Sequence, residues 1–149
     1  VKSRVGLSRE AEVITPEDSI RERYAATGGR DVIIADEAQF FTPEQIDELR
    51  DIVDELNVPV LCFGLRTDFL THMFPGSRRL MELADSITEI KTVCACGSKA
   101  TVNARLTADG RIVTEGEQVF LGGNDDYVAM CHRCWKKQIN EQSRVQMKK

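Results

Sequence analysis

The stretch DVIIADEAQFF, residues 31–41, decides the fold class. Apolar residues at positions 32–35 run straight into two adjacent carboxylates, Asp36 and Glu37. A strand that is apolar on both faces fits a parallel sheet covered by helices on each side. In open sheets of that kind the ligand site lies beyond the carboxyl ends of the strands. Asp36 and Glu37 stand at that edge. An apolar strand ending in Asp is also the Walker B pattern of phosphate-transfer proteins, where the Asp helps hold Mg²⁺. A carboxylate beside it can act as general base on a water or a hydroxyl. Taken alone the pattern is common, and a solvated strand end is the plain alternative.

The flanks support an α/β arrangement. Thr42-Pro43-Glu44-Gln45 is a capping box, with Gln45 placed three residues after the cap. Ile46, Leu49, Ile52, Val53 and Leu56 then recur at helical spacing and form one apolar face, and Asn57 ends the helix. A second apolar strand is expected over residues 58–63, so the segment reads as a parallel, right-handed βαβ unit. Upstream, Thr15 is expected to cap a helix with Pro16 at its first position, ending near Gly28-Gly29. Beyond Gly64, RTDFLTHMFPGS reads as a loop, Ser77 as the cap of a short helix reaching Ala84, and SITEIKTV as a third strand.

That strand runs into the first of two cysteine pairs, Cys94-Ala95-Cys96 and Cys131-His132-Arg133-Cys134. Four thiolates suit a tetrahedral Zn²⁺, and the second pair has the usual spacing. The first pair is one residue short, and Gly97 directly after it supplies the freedom a tight turn needs. A strand is expected in KATVNARL, a hairpin turn at Asp109-Gly110 that can bring the pairs together, and a long Gly-rich loop in EGEQVFLGGNDDYVAM. A polar helix is expected from about Trp135. With all four positions filled by protein the zinc would be structural. Four reduced cysteines in a small core, or His132 replacing one cysteine, are the alternatives. Cys62, inside an apolar strand, reads as core.

Composition narrows the function classes. The chain has 149 residues, enough for one domain or one with a small appendage. A net charge of −4 argues against a broad nucleic-acid or membrane surface. No apolar run approaches the ~18 residues of a membrane span. Paired cysteines without a visible secretory signal point to a cytoplasmic setting and to metal before disulfides.

A phosphate-transfer protein of this type needs a G-x-x-x-x-G-K-[ST] loop, and none occurs here. Gly28-Gly29 lacks the following Lys and hydroxyl residue. Gly122-Gly123 is followed by Asn124-Asp125-Asp126, whose acids would repel phosphates. Either the protein uses no such loop or the loop lies upstream of Val1; the start at Val rather than Met favours the second.

DEAQFF, VPVLCFGLRTDF, the cysteine pairs, EGEQVFLGGNDDY and CHRCW, in that order, resemble the zinc-containing thymidine kinase family. The likeness covers nearly the whole chain. Its bacterial members also carry an SR-x-G segment like Ser3-Arg4-Val5-Gly6. The resemblance implies a P-loop NTPase-like parallel-sheet core over residues 1–92. It implies a small zinc-binding domain over residues 93–149 that carries a lasso loop. It implies transfer of the ATP γ-phosphate to the thymidine 5′-hydroxyl, with Glu37 as general base and Asp36 near Mg²⁺. Leu65 and Phe69 would line the thymine pocket, with Phe69 stacking on the base. The lasso, residues 118–127, would grip the base largely through main-chain groups, so that Gln118, Phe120, Gly122 and Tyr127 are binding positions. Asn103 would stand near the 5-methyl group. Cys94, Cys96, Cys131 and Cys134 would be the zinc ligands. A homotetramer, inhibited by thymidine triphosphate at the same pocket, follows from the same likeness. The first cysteine pair departs from the more common C-x₂-C, which touches only its local geometry. Without a phosphate-binding loop, this chain by itself is expected not to phosphorylate thymidine at a useful rate.

Phe69 and Tyr127 also have bland readings, as loop packing and as a hairpin strand residue, and Phe40 and Phe41 read as core. Two other classes remain open: a zinc-ribbon module that binds nucleic acid or protein, and a P-loop ATPase that uses Glu37 on water. The acidic balance weighs against the first. The lasso-like segment weighs against the second, since an ATPase needs no nucleobase clamp.

Overall fold

The computed structural model describes residues 10–119 and 126–146. The SR-x-G segment, Phe120, Gly122 and Gly123 lie outside the described residues. The chain builds a mixed α/β unit followed by a small β-rich unit closed by a helix.

Helix α1 spans Ile20–Ala26 and starts later than Thr15. Ser19 is the cap, its hydroxyl accepting the Glu22 N–H. Thr15 instead opens a turn, with the Asp18 N–H donating to the Thr15 carbonyl at 3.0 Å. The Thr15 N–H, the Arg23 guanidinium and the Thr15 hydroxyl hold the Asp18 carboxyl down to about 2. A proline at position 16 therefore serves the turn rather than a first helical turn. The helix ends as expected, before Gly28 and Gly29, both at positive φ.

Strand β1 (Ile33–Ala35) and strand β2 (Val60–Cys62) pair in parallel, with Ile34 opposite Leu61. Between them α2 spans Pro43–Leu56. Its capping box is complete: the Thr42 hydroxyl accepts the Gln45 N–H, and the Gln45 side chain accepts the Thr42 N–H. Asn57 closes the helix in the left-handed region at φ 54°. Ile46, Leu49 and Ile52 bury the helix face against Ile20, Val58, Ile33 and Val60. Leu56, expected on that face, is exposed. Each of the three buried side chains contributes about 1.5–3 kcal/mol of transfer free energy.

Among the described residues the sheet is covered on one face rather than on both. Ile34 is 66% exposed and Leu61 45% exposed, because among the described residues the helices pack only on the side of Ile33, Val60 and Cys62. Both strands are also shorter than their apolar runs, since pairing rather than hydrophobicity sets strand length.

Helix α3 spans Pro75–Leu83 with Phe74 as its cap residue and Pro75 in its first turn, so Ser77 lies inside it. The Ser77 hydroxyl donates to the Leu65 carbonyl at 2.5 Å, which ties the helix to the loop after β2. Phe40 is not core: its ring is 49% exposed and meets Phe74 edge-on at 5.6 Å. The expected third strand shrinks to β3, Thr92–Val93. It pairs antiparallel with β4, Lys99–Ala100, and residues 86–91 find no strand partner among the described residues.

KATVNARL breaks at Thr101. Strand β5 (Val102–Leu106) pairs antiparallel with β6 (Asp126–Met130), Asn103 opposite Ala129 and Arg105 opposite Tyr127. The Asp109-Gly110 turn is present, with Gly110 at φ 78° and the Thr107 N–H donating to the Arg111 carbonyl at 2.9 Å. Helix α4 spans His132–Gln146 and starts three residues before Trp135, because the Trp135 N–H already reaches the Cys131 carbonyl at 3.1 Å. Val102, Ala104, Ile112 and Trp135 form a second apolar core. Among the described residues no helix is long and apolar enough to cross a membrane.

Candidate active site and cysteine cluster

The carboxyl end of β1 is tied to β2 by backbone hydrogen bonds. The Phe63 N–H donates to the Ala35 carbonyl at 2.8 Å, and the Ala38 N–H to the Phe63 carbonyl at 2.9 Å. Between these ties the chain leaves the strand through Glu37, whose φ of 52° lies in the left-handed region. A non-glycine residue there is strained, and such strain persists only where the surroundings over-determine it. A 3₁₀ turn, Ala38–Phe40, follows at once.

Asp36 and Glu37 are both exposed, and among the described residues neither forms an ion pair. The Asp36 carboxylate accepts the Glu37 N–H at 3.0 Å. The Glu37 carboxylate accepts from Gln39 Nε2 at 2.6 Å. Gln39 is 2% exposed, and its Oε1 accepts the Leu65 N–H at 3.0 Å. The orientation of the amide is forced: a backbone N–H demands the oxygen end, which leaves the NH₂ for Glu37. Gln39 thus couples the strand-end carboxylate to Leu65. Sequence reasoning missed it, although a lone amide between Ala38 and Phe40 was a visible signal.

Two glycines make room for this turn. A Cβ on Gly64 would stand 2.4 Å from Gln39 Oε1 and 3.1 Å from the Gln39 backbone N. A Cβ on Gly76 would stand 2.4 Å from the Phe41 carbonyl oxygen. Gly64→Ala should therefore displace the Gln39 amide and cost about 1–3 kcal/mol of stability, as overpacking does. Thermal unfolding of the variant checks this; an unchanged midpoint would mean the turn is loose.

A groove of about 1050 Å³ is lined by Gln39, Phe63, Leu65, Ser77, Asn103 and Ala129, among others. It brings Leu65 and Asn103 together. Phe69 stands apart from it and is only 2% exposed. The Arg105 guanidinium covers one face of its ring at 4.1 Å from the centroid. Arg105 is itself buried, two positions from Asn103 on the same strand face and directly opposite Tyr127. Tyr127 is a strand residue, 46% exposed. Gln118 lies against the Phe69 loop: its Nε2 donates to Asp68 Oδ2 at 2.9 Å. Arg105 and Asp68 were not singled out in the sequence; Arg105 stood out only as the lone charge in VNARL.

The four paired cysteines converge. Their Sγ atoms all lie within 4.8 Å of one another, and Cys96 and Cys131 are 3.7 Å apart. A tetrahedron of thiolates at the usual Zn–S length has edges of about 3.8 Å, so the set fits a metal ion with small shifts. The knuckle at Cys94 closes through the Gly97 N–H to the Cys94 carbonyl at 2.8 Å, with Gly97 at φ 86°. The second pair sits at the start of α4, where the Cys134 N–H points at Cys131 Sγ at 3.4 Å. The thiols differ sharply in proton affinity. The Ser98 hydroxyl and N–H draw Cys96 down to about 6, while the Cys131 and Cys96 sulfurs push Cys134 up to about 12. Negative sulfurs this close repel one another, and a bound cation offsets that repulsion, which is the chemistry of a closed metal site. His132 is not in the cluster; its ring leans on Trp135 at 5.4 Å. Cys62 lies away from it in β2, where burial raises its thiol to about 11.

A parallel strand pair whose first strand ends in two acids, joined to a four-cysteine cluster with the geometry of a metal site, defines the class: a mixed α/β protein with a separate cysteine-rich unit. The chain belongs to the thymidine kinase family, whose model matches residues 1–135. It is similar to the thymidine kinase of Ruegeria pomeroyi, 47% identical over 92% of this chain and 71% of that protein. It is 48% identical to the thymidine kinase of Yersinia pestis over 93% of this chain and 72% of that protein. For the thymidine kinase of Vibrio vulnificus the identity is 42%, over 95% of this chain and 75% of that protein.

Proposed function

We propose that the chain serves as an ATP-dependent thymidine kinase, giving thymidine monophosphate and ADP. The observation that carries this reading is the family match over residues 1–135 together with an exposed Asp36–Glu37 pair at the end of a parallel strand. Glu37 acts as general base. Its carboxylate takes the proton of the thymidine 5′-hydroxyl while that oxygen bonds to the γ-phosphorus and the bond to ADP breaks. The Gln39 amide holds Oε2 of that carboxylate, which leaves Oε1 for the hydroxyl. Asp36 would hold Mg²⁺, which neutralises phosphate charge when bound. An exposed carboxylate oxygen at the strand edge is the hard donor that ion prefers.

On the nucleoside side, Leu65 and Asn103 wall the groove, and Phe69 offers an aromatic face to the thymine. Arg105 holds one face of that ring, so only the other is left for a stacked base, and the 2% exposure of Phe69 means that face must be uncovered before a base can stack on it. Gln118, Phe120, Gly122 and Tyr127 belong to the lasso that closes over the base. An apolar wall, an aromatic face and a few main-chain hydrogen bonds suit a pyrimidine. In this reading residues 1–92 belong to a P-loop NTPase-like core. Residues 93–149 form a zinc-binding domain, held by Cys94, Cys96, Cys131 and Cys134, that roots the lasso. The cytoplasmic setting, the homotetramer and inhibition by thymidine triphosphate complete the proposal.

The test is ATP-dependent phosphorylation of a nucleoside panel by the protein that carries this sequence. Thymidine should be the preferred acceptor, with purine nucleosides inert. ATP hydrolysis that no nucleoside stimulates would replace this reading with the ATPase one.

A further inference from the structure

We propose that Asp68 and Gln118 form a half-buried clamp that fixes residues 116–119 against the Phe69 loop, so that both are positioning residues for the nucleoside. The inference rests on the thymidine kinase reading of this site and assigns a role to a side-chain pair which that reading leaves open.

Asp68 is a 5% exposed carboxylate. Its Oδ1 accepts the N–H groups of Leu70 and His72 at 2.9 and 3.0 Å, which fixes the loop carrying Phe69. Its Oδ2 accepts from Gln118 Nε2 at 2.9 Å, across 50 residues of chain. The same Nε2 reaches the Met73 carbonyl at 3.4 Å. The Gln118 amide is thus spent on the Phe69 loop rather than presented to a ligand. A buried carboxylate with such donors is strongly directional, since hydrogen bonds to a charged acceptor are about twice as strong as neutral ones.

A second tether acts on the neighbouring residues. Arg105 stacks on Phe69, and its Nη1 donates to the Glu117 carbonyl at 3.5 Å. Gly116, at φ 133°, lets the chain pass so close that a Cβ there would stand 2.9 Å from Arg105 Nη2 and 3.9 Å from Phe69 Cζ. Residues 116–118 are therefore tied to the Phe69 loop directly through the Asp68 carboxylate and indirectly through the Arg105 guanidinium. Val113 is held by its N–H to the Arg105 carbonyl at 2.9 Å, but residues 114–119 carry no regular element that would hold them otherwise. The clamp thus fixes residues 116–118 relative to Phe69.

The test is a polarity swap in the protein that carries this sequence. Gln118→Glu sets two carboxylates face to face. The KM for thymidine should rise about tenfold or more, with the KM for ATP changing less than about twofold. In the double variant Asp68→Asn with Gln118→Glu, the asparagine NH₂ donates to the new carboxylate and remakes the bond in reverse. The thymidine KM should then return to within about threefold of the parent. Amide hydrogen exchange over residues 113–119 should accelerate in the single variant and recover in the double. An unchanged thymidine KM, an equal fall in all kinetic parameters, or no rescue in a folded double variant would overturn the proposal. Should the parent protein fail to phosphorylate thymidine, the functional reading falls by itself. Exchange over residues 113–119 then decides the clamp separately, and unchanged exchange in Gln118→Glu overturns it.

Discussion

Stripping the zinc proposed for the four-cysteine cluster should unfold the C-terminal unit. The expectation follows from the four sulfurs within 4.8 Å of one another, which join the β3–β4 knuckle to the start of α4. The core beside them is small, with Val102, Ala104, Ile112 and Trp135 as its buried members. A structural zinc contributes about 10–16 kcal/mol of apparent binding free energy at neutral pH. That is comparable to the whole stability of a domain, about 5–15 kcal/mol. Trp135 gives a direct readout, since it is the single tryptophan, is 7% exposed and follows Cys134 immediately. The purified protein should carry one zinc per chain. Strong chelators, or Cys131→Ser, should shift its tryptophan emission to the red and lower its helix content. Protein isolated without chelators that holds no metal, and whose emission a chelator leaves unchanged, would refute the site.

Glu37→Gln should lower kcat for thymidine phosphorylation by about a hundredfold to ten-thousandfold, the span that a lost general base produces. The substitution keeps the shape and removes the proton acceptor, so the KM for thymidine should move little. Gln39→Leu should act in the same direction and more weakly. It frees the Glu37 carboxylate and leaves the Leu65 N–H without its acceptor, but the base itself survives. A Glu37→Gln enzyme with parental kcat would remove Glu37 from the chemistry.

Local chemistry was legible in the sequence where a few adjacent residues settle it. The Thr42 capping box, the Asn57 stop, the Asp109-Gly110 turn and the convergence of the cysteine pairs all appear as expected. Strand extent was not legible. SITEIKTV is apolar and β-branched enough to be a strand, yet only Thr92 and Val93 find a partner backbone. The start of α1 went to Ser19 rather than Thr15 because the Asp18 carboxylate captures both the N–H and the hydroxyl of Thr15. The acids at the end of β1 were plain, but their supports were not. Gln39 acts through Leu65, 26 residues away, and Asp68 through Gln118, 50 residues away. Pairings at that separation are a product of the fold and leave no periodicity in the chain. Arg105 is similar: its guanidinium becomes intelligible only beside the Phe69 ring.

The strand-end carboxylates are proposed to serve transfer of a phosphoryl group to a nucleoside hydroxyl. Phosphorus NMR of the product formed from ATP and thymidine tests it most directly. ADP and thymidine 5′-monophosphate should appear in equal amounts, with the new ester on the 5′-oxygen. Inorganic phosphate in place of the ester, with thymidine recovered unchanged, would contradict it.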